Sequence, residues 1–161
     1  MLRSLLIGLV AGQRAMTPLA VVAGAARQNT LPPGPLADLL RLPVVTGGAV
    51  ALAAAEMAGD KMRTAPDRTV VAGLLARTLT AAFAGASLAP REQRMEGAAL
   101  AIAAAFGSSF VGLALRKKAM ARHGQVPTGF AEDAIVLLAG AAIVGLIGPR
   151  PRDGRRPALR G

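Results

Sequence analysis

Residues Ala54–Arg68, AAEMAGDKMRTAPDR, decide how the chain is read. They close one apolar run and open the next, and they hold three of the nine acids: Glu56, Asp60 and Asp67. Lys61, Arg63 and Arg68 sit among them. On both sides lie long runs of Ala, Leu, Val and Gly with almost no charge. The pattern is that of a small helical membrane protein in which a few ionisable residues lie at or near membrane depth.

Composition supports this. The chain has 161 residues, enough for one domain. Its apolar fraction is 53% and its mean hydropathy +0.46. There is no Trp or Tyr and there are only four Phe, so a water-soluble core would rest on Ala, Val and Leu alone. A lipid-embedded bundle has no such difficulty, because small residues let helix backbones approach closely. The net charge of +10 is concentrated between apolar runs and in the tail. No aromatics accompany the bases to stack on nucleobases, which argues against a nucleic-acid surface. Charge so placed suits cytoplasmic loops and anionic headgroups. With no Cys and a single His123, disulfides, thiolate sites and multi-histidine metal or haem sites are excluded, and no cofactor is expected.

Apolar segments fall at Ser4–Ala26, Pro43–Gly59, Thr69–Ala89, Gly97–Leu115 and Ala134–Gly148. A crossing helix needs about 20 residues. The first, third and fourth qualify directly; the second and fifth do so only if Glu56 and Glu132 are drawn in. The expected fold is all-α and polytopic, with about five transmembrane segments, some short or re-entrant, and four plus one re-entrant segment as the fallback. Residues 1–149 form the helical domain, and residues 150–161 a basic, disordered tail. MLRSLLIGLVAG could pass for a signal peptide, but Gln13 and Arg14 interrupt it and a retained first helix is expected.

Within the first segment Pro18 follows Arg14 closely and should kink or break the helix. Pro66 is a second structural hinge, in the first turn of the third segment. Leu36–Leu40 is expected to form a short interfacial helix. Small residues recur every four positions at Gly47, Ala51, Ala55 and Gly59, and again at Gly97, Ala101, Ala105 and Ser109. Both stripes suit close helix contact. GLVAGQRAMTP resembles VGLALRKKAMA, and PVVTGGAVAL resembles VPTGFAEDAIVL, so segments 1-2 and 4-5 are candidate inverted repeats. With the N-terminus inside, Arg3, Lys61, Arg63, Arg68, Arg116, Lys117, Lys118 and Arg122 would be cytoplasmic, and Arg27, Arg41, Arg91 and Arg94 external. Five crossings would then put the arginine-rich tail outside, in conflict with the same rule.

Arg14 and Arg77 carry the sharpest signal, since arginine at a helix centre costs at least ~2.5–3.5 kcal/mol on insertion scales. Glu56, Asp60, Glu132 and Asp133 are the acids available to them. Either these groups form structural ion pairs, or Arg14, Glu56, Asp60, Lys61, Arg77, Glu132 and Asp133 line a polar site for a small anion or cation. Glu56 and Asp60 are four apart and would share a helix face, where a base, proton or hard cation must separate them. Glu132 and Asp133 would complement the dipole at a helix N-terminus. Ser108 and Ser109 have no histidine near them in sequence, and no phosphate-binding loop is present, so an enzyme is not expected.

Gly12, Arg14 and Pro18, the AE-x-x-x-DK stretch (Ala55, Glu56, Asp60, Lys61) with Pro66-Asp67, and Gly73-x-x-x-Arg77 together resemble the bacterial small membrane protein family known as domain of unknown function 4126. The resemblance extends to about Gly148. Where such sequences often carry proline after DK, Met62-Arg63 stand here. It implies an integral, multi-pass protein of the bacterial cytoplasmic (inner) membrane and no particular activity. The function expected is a transporter or channel-like homo-oligomer in the lipid bilayer; the alternative is a non-transporting scaffold or accessory subunit whose charges are internal struts.

Overall fold

The structure, a computed structural model, describes residues 1–59 and 71–147. Asp60, Lys61, Pro66, Asp67 and the tail 150–161 lie outside the described residues. So does the shared face expected of Glu56 and Asp60. Among the described residues every regular element is helical: α1 (Leu2–Gln13), α2 (Thr17–Arg27), α3 (Pro35–Arg41), α4 (Pro43–Gly59), α5 (Val71–Leu88), α6 (Arg94–His123) and α7 (Gln125–Val144), with a 3-10 turn at Arg91–Gln93.

The first apolar segment breaks where proline requires it. Continuing the helix would drive the Pro18 ring into the Arg14 carbonyl and leave that carbonyl without a donor. Arg14 instead turns extended, with φ −138° and ψ 119°, and α2 starts with Pro18 in its first turn. The two halves fold back on each other as a hairpin, and α7 supplies the ruler. Arg3 Nε, near the start of α1, donates to Ile143 O (2.7 Å), while Thr30 Oγ1, just past α2, donates to Val144 O (3.1 Å). Both ends of the hairpin therefore sit at the C-terminal end of α7. Its turn lies ten residues back along α7, where Arg14 meets Asp133, a separation of about 15 Å at 1.5 Å per residue. Midway, Gly140 faces Val21 of α2 and Val10 of α1. The expected single first helix is thus two antiparallel half-helices.

The same end, here the upper face, collects other termini. Ser4 Oγ donates to Gly85 O (2.9 Å), so α5 finishes there. Gly97, in the first turn of α6, packs on Gly85 and Ser4. Arg41 Nε caps the C-terminus of α2 through Ala26 O (3.1 Å), and α4 departs from that corner after a 75° bend from α3. The short helix expected at Leu36–Leu40 is α3. The α7 helix closes on Gly145 (φ +80°) with Leu146 N–H donating to Ala141 O, the left-handed C-terminal cap that glycine adopts without strain.

Packing is closest where α1, α5 and α6 meet. A Cβ on Gly8 would strike the Ala101 backbone, one on Gly12 the Ala105 carbonyl, and one on Gly85 the Gly97 carbonyl. Serines tie these contacts: Ser109 Oγ donates to Gly12 O (3.2 Å) and Ser108 Oγ to Leu9 O (3.0 Å). The stripe Gly97, Ala101, Ala105, Ser109 is entirely buried in this contact, as its spacing predicts. The α4 stripe behaves otherwise. Ala51 and Ala55 are exposed and Gly47 and Gly59 face open space, while Ala49 and Ala53 turn inward. Glu56, three residues on from Ala53, shares that inward face and bonds the hairpin turn, with the stripe on the opposite side.

Three helical stretches, Val71–Leu88, Arg91–His123 and Gln125–Val144, are long and apolar enough to cross a membrane; α3 with α4 makes up to four if that bent pair is one crossing. Segment one, expected as one of five crossings, folds instead as two short helices of 12 and 11 residues and is not among these. Polarity is arranged inside out. Leu79 (70%), Ile135 (67%) and Leu115 (63%) are exposed, while Arg14 (1%), Thr17 (0%) and Asp133 (6%) are buried. A water-soluble domain keeps paired charges and large apolar side chains the other way round. Direction also bears on the repeat. The contacts Gly8 to Ala101 and Gly12 to Ala105 run α1 beside α6 in the same sense, whereas inverted repeats of segments 1-2 and 4-5 require opposite senses.

Candidate functional site

The hairpin turn is the polar centre of the molecule. At residues 14–16 the chain is neither in α1 nor in α2; Arg14 N–H still donates back to Val10 O (3.0 Å), but the Ala15 and Met16 donors have no intrahelical acceptor. Glu56, from α4, accepts the Ala15 N–H at Oε1 (2.7 Å) and the Met16 N–H at Oε2 (2.8 Å). A carboxylate on two successive amides at a helix start gains both charge-assisted hydrogen bonds and the positive end of the α2 dipole. Arg14, fully buried, reaches across to α7, with Nη2 2.6 Å from Asp133 Oδ1. Gln13 Nε2 donates to Ser108 O on α6 (2.8 Å). Three other helices, α4, α6 and α7, therefore converge on one irregular turn.

Arg77 lies at the same depth. The Ser4–Gly85 bond sets α1 against an antiparallel α5, and eight residues on from Ser4 and eight back from Gly85 bring Gly12 and Arg77 level, each about 12 Å below the upper face. Arg77 is buried at that level, on the face of α5 that carries Thr80, Ala81 and Ala84.

Glu132 and Asp133 correct an expectation. Helix α7 starts at Gln125, so both acids lie in its third turn and not at its N-terminus. Being adjacent, they point apart. Asp133 takes Arg14, and Glu132 Oε2 lies 3.3 Å from Arg116 Nη1. The sequence does not single out Arg116, which reads as the first base of a cytoplasmic RKK run. The signal was nevertheless there: Ser109, Gly112 and Arg116 extend the buried stripe of α6. The helix continues to His123, beyond the expected end at Leu115, and carries Arg116 into the body.

Below the turn, α6 and α7 diverge around a cleft of about 600 Å3. Val111, Leu115, Ile135 and Val136 give it apolar walls, and Gln13, Arg116 and Glu132, with Ser108, His123 and Thr128, its polar spots. It reaches the hairpin through Gln13, while Arg14 stays behind the wall. Of the sequence-derived candidates, the turn gathers Arg14, Glu56 and Asp133 directly, sets Arg77 level with them and places Glu132 on the cleft. Pro18 acts as the expected break. Among the described residues no group of three or more His, Asp or Glu side chains could hold a metal ion.

No family model, no curated protein and no solved structure matches the chain.

Proposed function

We propose that this protein is a small multi-pass transporter or channel-like protein of the bacterial inner membrane, with α1–α2 as a re-entrant hairpin and the α6–α7 cleft as its substrate path. The observation that carries the reading is the broken segment, whose two ends share one face and whose charged turn is buried at depth. Non-helical backbone within a bilayer persists only where protein or a water-filled cavity covers it, and such breaks are where transporters place their sites. Arg116 and Glu132 face the cleft and would meet a small charged solute, while Arg14–Asp133 holds the turn against α7. The resemblance to the family of unknown function 4126 accords with membrane insertion and names no substrate.

In this reading the upper face is cytoplasmic. Among the described residues Arg3, Arg27, Arg41, Arg91 and Arg94 lie there, against Lys117, Lys118 and Arg122 at the opposite end; Lys61, Arg63 and Arg68 lie outside the described residues. The division of bases drawn from five crossings, with Arg3 apart from Arg27, Arg41, Arg91 and Arg94, is replaced. α1 begins and α7 ends on this same face. The outward stripe of α4 is left for a second copy of the chain in a homo-oligomer.

The alternative, a scaffold or accessory subunit, is favoured by one feature: Arg14 is dry and paired. Reconstituted proteoliposomes separate the two. On the transport reading, Glu132→Gln and Arg116→Gln change solute flux in a panel of small anions and cations when flux is normalised to the folded protein in the vesicles. If wild-type vesicles are no leakier than empty ones to every solute, and both variants differ only in yield, the scaffold reading replaces it.

A further inference from the structure

At the upper face two arginines are gathered, and no acid among the described residues pairs with them. A Cβ on Gly34 would lie 2.8 Å from Arg94 Nη2 and 3.3 Å from both Arg91 Nε and Nη2. Two guanidinium groups from the α5–α6 connection thus close on one backbone position of the α2–α3 loop. Gly34 also has φ +146°, a conformation glycine adopts and other residues resist. Among the described residues neither arginine side chain has a hydrogen bond or an ion pair, although Glu92 and Glu96 are their near neighbours in sequence. Arg94 Nε is buried with no partner. The contrast with the same face is plain: Arg3 caps α7, and Arg41 caps α2 while pairing with Asp38. Two like charges held together, one of them half-buried, repel unless an anion lies between them, and the positive start of α6 adds to the demand.

We propose that Arg91, Arg94 and Gly34 form a site for the phosphate of an anionic phospholipid. Guanidinium forks match phosphate oxygens in pairs, which lysine cannot reproduce. The depth selects a lipid over a free ion. The apolar stretch of α5 ends at Leu88 and α6 begins at Arg94, so the pair sits at headgroup level once those helices cross a bilayer. The site rests on membrane insertion and is independent of transport.

The test uses the full chain purified in neutral detergent, stripped of lipid and titrated with phosphatidylglycerol, phosphatidylcholine or inorganic phosphate under native mass spectrometry. Wild type should retain phosphatidylglycerol in preference to phosphatidylcholine. Losing the charge-assisted bonds in Arg91→Gln/Arg94→Gln should weaken that retention about tenfold or more. Arg91→Lys/Arg94→Lys, which keeps charge without the fork, should weaken it several-fold, and it carries the test if the glutamine variant does not fold. Arg27→Gln, an exposed base on the same face, should change nothing. Equal loss in Arg27→Gln would mean diffuse surface attraction, and unchanged retention in both double variants would mean no site; either overturns the proposal. So would binding of inorganic phosphate by wild type, abolished in the double variants, with no uptake of phosphatidylglycerol.

Discussion

The two sides of α6 are built on different physics. Toward α1 and α5 it presents Gly97, Ala101, Ala105 and Ser109, and the backbones come so close that a single added methyl would collide. Toward α7 it presents Val111, Leu115 and Arg116 across an open cleft, and the helices are joined by charge. Where small residues face each other, dispersion and short serine bonds hold the helices. Where α7 must be held at a distance, ion pairs and a capped turn do the work. The closely packed side is suited to rigidity, and the charged side to taking something in.

This contrast can be broken most severely at the Arg14–Asp133 pair. Removing one partner leaves a buried charge uncompensated, which costs about 3–5 kcal/mol. Asp133→Ala should therefore sharply lower the folded fraction by detergent size-exclusion and thermal unfolding, and Arg14→Leu/Asp133→Leu should recover much of the loss. If Asp133→Ala is silent, charge does not hold α7. Next comes the close contact: Gly8→Ala inserts a methyl against the Ala101 backbone and should destabilise by about 3 kcal/mol, the upper end for overpacking, read as a lowered midpoint in denaturant titration. Glu56→Gln keeps one acceptor but turns an amide donor toward a backbone N–H, and should cost about 1–2 kcal/mol. Hydrogen exchange at Ala15 and Met16 should speed up with it. The smallest effect sharpens the comparison by its sign. Gly107 lies on α6 with open space around it, so Gly107→Ala should stabilise by roughly 0.5–1 kcal/mol through helix propensity alone. A loss there would mean that a second chain covers this face.

Much of the site was legible because burial of charge is expensive. Arg14, Arg77, Glu56 and Asp133 stand out in apolar runs, and the structure buries or engages each of them. Pro18 announced its break for a covalent reason. Arg116 did not stand out, since beside Lys117 and Lys118 it looks like any loop base, and only the length of α6 shows that it lies within a helix. Partner choice was not legible either. Four acids could have met Arg14, and nothing local in the sequence separates Asp133 from Glu132 next to it. Likewise the two small-residue stripes look equivalent, yet one is buried and one faces outward.

The sequence by itself determined helical content, the apolar outer surface, the break at Pro18 and the small-residue contact of α6, because each follows from local stereochemistry or from periodicity along one helix. Only the tertiary structure decided that the first segment folds back on itself as a hairpin. It also decided that Glu56 caps that turn, that Asp133 takes Arg14, and that Arg91 and Arg94 converge on Gly34. The physical reason is common to all of these. Each depends on which groups from distant segments arrive at the same depth, and hydrogen bonds and ion pairs then fix the rotation of whole helices, which residue spacing within one helix does not encode.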